Sequence, residues 1–313
     1  MNMIMQAGKN AGGYRKRRFL AGPPLFFVLM LCIGGRLEAQ DQVLKDSITQ
    51  IVLSAQGEVG VAVMKEGDGK HFEFNGSRHF PMQSVYKFPL ALYILDQVDK
   101  GRLSLDQKIP IRKSDWNRTM YSPMRDKYQA ADVSLSVREV LGYTVSLSDN
   151  NGCDLLFQLA GGPGKVNDYV HGLGIKDIAI VATEAQMHAS WDVQYTNWST
   201  PTAMAALLQG FYSGQYLSAA SDSVLLQWMI AGAARLPRIG ALLPPGTIVA
   251  RKAGTSDTNA AGVAGATNDA GIITLPDGGH LFIVVFVKDS KADMATREEV
   301  IARIARAAYA VFK

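Results

Sequence analysis

The chain has 313 residues, 48% of them hydrophobic and 19% charged, the composition of a globular protein able to bury a large core as one complex domain or two lobes. Six of its 32 basic residues and one of its 28 acidic residues fall at positions 1–39, so positions 40–313 carry 26 basic against 27 acidic side chains. A net charge of about −1 over that span removes any electrostatic case for nucleic-acid binding.

Positions 1–39 read as a secretory signal peptide. The basic cluster Arg15 to Arg18 precedes the apolar run Phe19 to Gly34, and Leu37-Glu38-Ala39 offers a small residue before Gln40. The run is too short for a comfortable membrane span and carries Pro23 and Pro24. Cys32 follows the bulky Leu31, where lipid-anchor processing favours a small residue, so the expectation is a soluble exported protein, periplasmic or secreted. Cleavage would leave Cys153 as the one cysteine and exclude an intramolecular disulfide. Its place beside Leu155, Leu156 and Leu159 marks it as a core residue. His71, His79, His171, His188 and His280 are scattered without metal-ligand spacing, which disfavours a zinc hydrolase.

Along the chain, Val43, Ile48, Ile51 and Val52 predict an amphipathic helix over Asp41 to Ala55. Two strands follow, Val59 to Met64 and His71 to Phe74, joined by the turn Glu66-Gly67-Asp68-Gly69. A helix then begins near Ser84, with Phe88, Leu92 and Leu95 on one face, and Pro89 in its second turn predicts a mild kink. Helical spacing recurs over Val137 to Tyr143, Asn150 to Ala160, Lys165 to Leu173, Thr202 to Tyr212 and Ser221 to Ile230. Two stretches break it. Tyr121-Ser122-Pro123 reads as a loop, and Ala182 to Thr200 as a long irregular loop of the kind that carries function.

After Pro244-Pro245-Gly246 the period changes to that of strands, at Thr247 to Arg251, Gly262 to Thr267, Gly271 to Leu275 and Leu281 to Lys288, with a closing helix from Thr296 to Phe312. The expected fold class is α+β: an antiparallel β-sheet flanked by terminal helices, built from 40–80 and 245–313, plus an all-α lobe over 81–244. A functional site is expected in the cleft between them.

Three short motifs carry chemistry. Ser84 and Lys87 form an S-x-x-K pair one helical turn apart, so the ammonium can reach the hydroxyl. With 19 serines and 16 lysines in the chain, about one such match arises by chance; alone, Ser84 is a helix cap and Lys87 a solvated side chain. Ser148-Asp149-Asn150 alone is an ordinary helix start, and Lys252-Ala253-Gly254-Thr255 an unremarkable strand. No G-x-G-x-x-G, Walker A or G-x-S-x-G motif is present.

The order S-x-x-K, S-D-N, K-x-G resembles class A serine β-lactamases and penicillin-binding proteins. The resemblance spans Gln40 to Lys313 and is similar in local wording to the PER-type extended-spectrum branch: Phe80-Pro81-Met82-Gln83-Ser84-Val85-Tyr86-Lys87-Phe88, Cys153-Asp154-Leu155-Leu156-Phe157, Glu184-Ala185-Gln186-Met187-His188, Gln194-Tyr195 with Asn197-Trp198, and Thr267-Asn268-Asp269. It implies that Ser84 attacks the β-lactam carbonyl, with the backbone N–H groups of Ser84 and Thr255 as oxyanion hole. It also implies that Lys87 helps activate Ser84, with either Lys87 or Glu184 taking the serine proton, that Ser148 and Lys252 relay a proton to the departing ring nitrogen, that Asn150 holds the substrate amide and that Asp149 braces the loop. Glu184 would activate the hydrolytic water, with His188 fixing it, and Tyr121 would stack on substrate. Arg238 is the candidate second cation near the substrate carboxylate, with its neighbour Arg235 as the other possible alignment.

No cofactor or metal is implied, and the partner is a small-molecule β-lactam met by a monomer that leaves the membrane once its signal is cleaved. Ala253 departs from the pattern, since most members carry Thr or Ser before Gly254; losing that hydrogen bond to a charged group would cost about 1.5–3 kcal/mol. Three readings remain open on the residues: a hydrolase that turns over, a D,D-peptidase or penicillin-binding protein that keeps a long-lived adduct, and a non-enzymatic sensor in which Ala253 marks decay.

Overall fold

A computed structural model describes residues 42–67, 69–236 and 238–313. The expected signal peptide lies outside the described residues. Helix α1 (residues 42–52) runs into a 3₁₀ turn, Leu53–Ala55, and is followed by β1 (Glu58–Lys65), β2 (His71–Phe74) and β3 (Phe80–Pro81). Next come α2 (Lys87–Asp99), β4 (Lys108–Ile111), α3 (Pro123–Lys127), β5 (Val133–Ser136), α4 (Val137–Ser146), α5 (Asn150–Ala160) and α6 (Pro163–Gly172). The chain continues through β6 (Ile178–Ala179), α7 (Glu184–Ala189), β7 (Trp198–Ser199), α8 (Pro201–Tyr212) and α9 (Ala219–Ala233). It closes with β8 (Val249–Thr255), β9 (Ala264–Thr274), β10 (His280–Ser290) and α10 (Met294–Phe312).

The main sheet has the order β2-β1-β10-β9-β8, all neighbours antiparallel. Both of its faces are covered. Val59, Val61, Val63, Ile283, Val285 and Val287 pack with Leu44 and Ile48 of α1 and Val300, Ile301 and Ile304 of α10. On the other face Ala62, Ile272, Phe282, Val284 and Phe286 meet the residues of α2, α4, α5, α8 and α9. Burial on both sides is why these strands read as apolar runs rather than as an alternation. Among the described residues, no helix is long and apolar enough to cross a membrane.

Three local expectations are corrected. Pro89 does not kink a second turn: the chain from Gln83 to Tyr86 is a 3₁₀ turn and α-helical bonding starts at Lys87, so Pro89 falls in the first turn, where a missing N–H is tolerated. The stretch 182–200 is not irregular throughout, because it contains α7, a second 3₁₀ segment (Trp191–Thr196) and β7. Thr183 and Gln186 form a capping box on α7, a signal present in the sequence at T-x-x-Q. The strands expected at 262–267 and 271–275 are one strand, β9; Gly271 inside it is required by close approach, since a Cβ there would lie 2.7 Å from Ala250 O.

Candidate active site

β8 is an edge strand, and the 3₁₀ turn bearing Ser84 packs against its end. The approach is close enough to demand glycine: a Cβ on Gly254 would lie 2.5 Å from Met82 O and 3.1 Å from Ser84 N. The segment before Ser84 is pinned from two sides. Asn268 donates to Pro81 O at 2.7 Å and Met82 O at 3.2 Å, and Met82 N donates to Asn197 O at 2.8 Å. Gln83 adopts a left-handed backbone, φ 49°, and its amide donates to Gln194 Oε1 at 2.6 Å. Ser148 is also left-handed, φ 58°, a conformation that costs a non-glycine residue about 1–2 kcal/mol and is held by its surroundings.

Those surroundings are the lysines. Lys87 Nζ donates to Ser84 Oγ at 3.0 Å, Ser148 O at 2.9 Å and Asn150 Oδ1 at 2.6 Å, and lies 2.9 Å from Glu184 Oε1. Three ammonium protons thus serve four oxygens. Lys252 Nζ donates to Ser148 Oγ at 2.8 Å and Ala253 O at 3.0 Å. The two chains of contact meet at Ser148, one through its carbonyl and one through its hydroxyl. Asp149 holds this turn in place: its buried carboxylate accepts from Ser122 Oγ, Met124 N and Gly152 N. Burial raises the Asp149 pKa and these three donors oppose the rise.

The two lysines are both buried, at 0% and 4% exposure, yet their acidities move in opposite directions. Burial, the largest single influence, presses the Lys87 pKa down, but the Glu184 carboxylate together with smaller contributions from Cys153 and Asp149 outweighs it and leaves the pKa above the ordinary lysine value. Lys252 falls well below that value through burial and the repulsion of Lys87 and Arg251, only partly offset by Glu184 and Asp269. Lys87 is therefore a committed ammonium and Lys252 the more readily neutral amine.

Glu184 begins α7, and the helix N-terminus that carries it is held by Asp154, which accepts from Glu184 N at 2.7 Å and Ala185 N at 2.9 Å. Burial pushes the Asp154 carboxyl up to about 6 against these two donors, with the Glu184 charge adding to the rise. Asp154 was not singled out from the sequence; its i+4 spacing from Asn150 on α5 was the available signal. Asn197 completes the support by accepting from Val181 N and Ala182 N and donating to Ala182 O.

The cleft around Ser84 has two compartments, of about 400 and about 510 Å³, which share Ser84, Tyr121, Asn150 and Thr255. The first runs under Ser148, Arg235, Lys252 and Ala253; the second is walled by Gln83, Glu184, Met187, His188, Trp191 and Gln194. Tyr121 stands half exposed at the mouth of both. His188 lies one turn beyond Glu184, exposed on the cleft wall. Arg238 is not on the cleft wall. It is 2% exposed and lies behind β8, donating to Gly254 O, Asn268 O, Thr255 Oγ1 and Glu298 Oε1. Among the described residues, no group of three or more His, Cys, Asp or Glu is arranged to hold a metal ion.

A sequence model of the β-lactamase enzyme family matches residues 42–312. The chain belongs to that family. Among β-lactamases, the extended-spectrum enzyme PER-1 of Pseudomonas aeruginosa is 44% identical over 271 residues, covering 87% of this chain and 88% of that one. A β-lactamase structure from Chitinophaga pinensis is 51% identical with a TM-score of 0.83, over 85% of this chain and 98% of the other. A class A β-lactamase from Bacteroides cellulosilyticus superposes with a TM-score of 0.83 at 36% identity, over 87% and 98% of the two chains. The α+β architecture is that of these class A β-lactamases.

Proposed function

We propose that the chain hydrolyses β-lactam antibiotics, extended-spectrum cephalosporins among them, through an acyl-enzyme on Ser84, and so confers resistance. The observation that carries this reading is the position of Lys87 Nζ, 3.0 Å from Ser84 Oγ and 2.9 Å from Glu184 Oε1. A nucleophile and a carboxylate are joined through one ammonium. Lys87 donates to Ser84 Oγ and orients it, and Glu184 takes the serine proton through a bridging water. The serine oxygen attacks the lactam carbonyl, the backbone N–H groups of Ser84 and Thr255 receive the oxyanion, and Ser148 passes its hydroxyl proton to the departing nitrogen. The depressed pKa of Lys252 suits it to trade a proton with Ser148 Oγ at 2.8 Å. Asn150 and Gly254 line the acyl amide, and Glu184 then activates water to release Ser84.

The protein acts as an exported monomer, in keeping with the signal-peptide pattern at 1–39. The long-lived adduct of a D,D-peptidase is disfavoured by Glu184, a buried carboxylate opening onto the Ser84 cleft. Purified protein mixed with a chromogenic cephalosporin, followed by absorbance and intact mass, is expected to turn over many times. Ser84→Ala is expected to abolish both turnover and adduct. A stoichiometric adduct without turnover would refute hydrolysis.

A further inference from the structure

Behind β8 the sulfur of Met294 is held by two arginines. Met294 opens α10 and is 38% exposed, whereas six of the other seven described methionines are buried and Met64 is half-buried. Arg238 Nη2 donates to its Sδ at 3.9 Å and Arg297 Nη2 at 3.6 Å, and both arginines are buried. Each arginine also holds one of two cross-strand threonines. Arg238 donates to Thr255 Oγ1 and Arg297 to Thr267 Oγ1, each at 2.8 Å, and Thr255 and Thr267 face each other across β8 and β9.

The Arg238 guanidinium has no donor to spare. Nε goes to Glu298 Oε1, Nη1 to Gly254 O and Asn268 O, and Nη2 to Thr255 Oγ1 and Met294 Sδ, which uses all its N–H groups. The thioether is the weakest acceptor of that set, and it shares Nη2 with Thr255. A sulfoxide oxygen is a far stronger acceptor and stands a bond length nearer the same donors. The two arginines also repel each other. Burial and the Arg238 charge lower the Arg297 pKa, with Asp293 and Glu298 opposing, so an oxygen of partial negative charge between the guanidiniums relieves a cost that sulfur leaves in place.

We propose that Met294 is an oxidative modification site whose sulfoxide is received by Arg238 and Arg297 and loosens their hold on Thr255 and Thr267, lowering turnover from behind the cleft. The oxidant class is a peroxide. The Met294 sulfur gives an electron pair to one peroxide oxygen, the S–O bond forms as the O–O bond breaks, and the other oxygen leaves as water after taking the proton of the transferred hydroxyl. Sulfur is oxidised by two electrons and the peroxide is reduced by them. The site goes beyond the hydrolytic reading, and only its effect on rate rests on that reading. Because Thr255 there gives a backbone N–H to the oxyanion, the effect falls on kcat rather than on KM.

Limited hydrogen peroxide should add one oxygen per protein, and peptide mapping should place it on Met294. The oxidised wild type is expected to lose about tenfold in kcat for the chromogenic cephalosporin, with KM within about twofold. Met294→Leu, treated alike, should keep its untreated kcat. Met294→Gln, whose amide oxygen is a comparable acceptor, should show the loss without peroxide. Met187 lines the second compartment, so its oxidation would also touch activity; the leucine variant separates the two. The proposal is overturned by first oxidation at another methionine, by a kcat within about twofold of untreated once Met294 is oxidised, or by a loss carried in KM. An equal loss in Met294→Leu, or a wild-type kcat in Met294→Gln, overturns it as well. The mapping needs no substrate. A protein that neither acylates nor turns over refutes the hydrolytic reading and leaves the modification site readable, and one that acylates without turnover leaves the rate effect readable in acylation.

Discussion

The two compartments of the cleft meet at Ser84 but have opposite electrostatic character. On the Glu184 side a buried lysine sits against a carboxylate and keeps its proton; on the β8 side another sits against a lysine and an arginine and tends to lose it. Burial lowers both, and the difference between them follows the sign of the charges beside each. The site thereby holds a cation ion-paired to Glu184 beside Ser84 and a more readily neutral amine beside Ser148, the two lysines meeting Ser148 at its carbonyl and its hydroxyl.

The strongest way to break this contrast is Glu184→Gln. It removes the charge that lifts the Lys87 pKa, so that pKa should fall, and it removes the proposed base for deacylation. Acyl-enzyme should accumulate in the mass spectrum and turnover should drop by about 10²–10⁴-fold; unchanged turnover would refute the role. Asp269→Asn attacks the other side. Arg251 Nη1 and Asp269 Oδ1 pair at 3.1 Å with almost no exposure, so leaving Arg251 uncompensated should cost about 3–5 kcal/mol of stability. It should also push Lys252 further down, and thermal unfolding with a pH–rate profile would show both.

Gly254→Ala tests the joint between the two sides. The added Cβ meets Met82 O and Ser84 N and must displace the nucleophile turn from β8, so kcat should fall by at least about tenfold while the fold survives, as judged by circular dichroism.

Asp154→Asn gives the smallest effect. The native carboxyl holds its proton to about pH 6, whereas the ordinary value is 3.8. Stability from this group is therefore whole below pH 3.8 and lost as pH rises through about 6, leaving a cost on the order of 3 kcal/mol above that. The Asn variant has no such proton. It loses one acceptor for the Glu184 and Ala185 amides at every pH, but its stability relative to wild type should improve as pH rises from 4 to 7. Denaturant titrations at the two ends would detect a pH-independent difference, which would contradict the assignment.

Much of the architecture was legible because it is local. Asn150 to Ala160 has matching helical bounds in sequence and structure, since its cap at Asp149 and its apolar spacing lie within the element itself. The stretch 182–200 was harder to read because α7 is six residues long, too short for a periodic signal, and is held by Asp154 from 30 residues away. The split expected in β9 failed for a related reason: Asn268, Asp269 and Gly271 look like a turn, but Asn268 and Asp269 are polar residues buried to pin the Ser84 turn and to pair Arg251.

By itself the sequence determined which residue types are available and in what order: a serine and a lysine one turn apart, a capped S-D-N turn, and a K-A-G-T strand, because spacing along a helix or strand is set by backbone geometry. Only the tertiary structure decided what those residues are to one another. It brings Lys87 to Asn150 across 63 residues and Lys252 to Ser148 across 104. It also turns Arg238 behind β8 while leaving Arg235 on the cleft wall, although the two are three residues apart. Charge state and access depend on which groups packing places within a few ångströms, and chain spacing does not specify those neighbours.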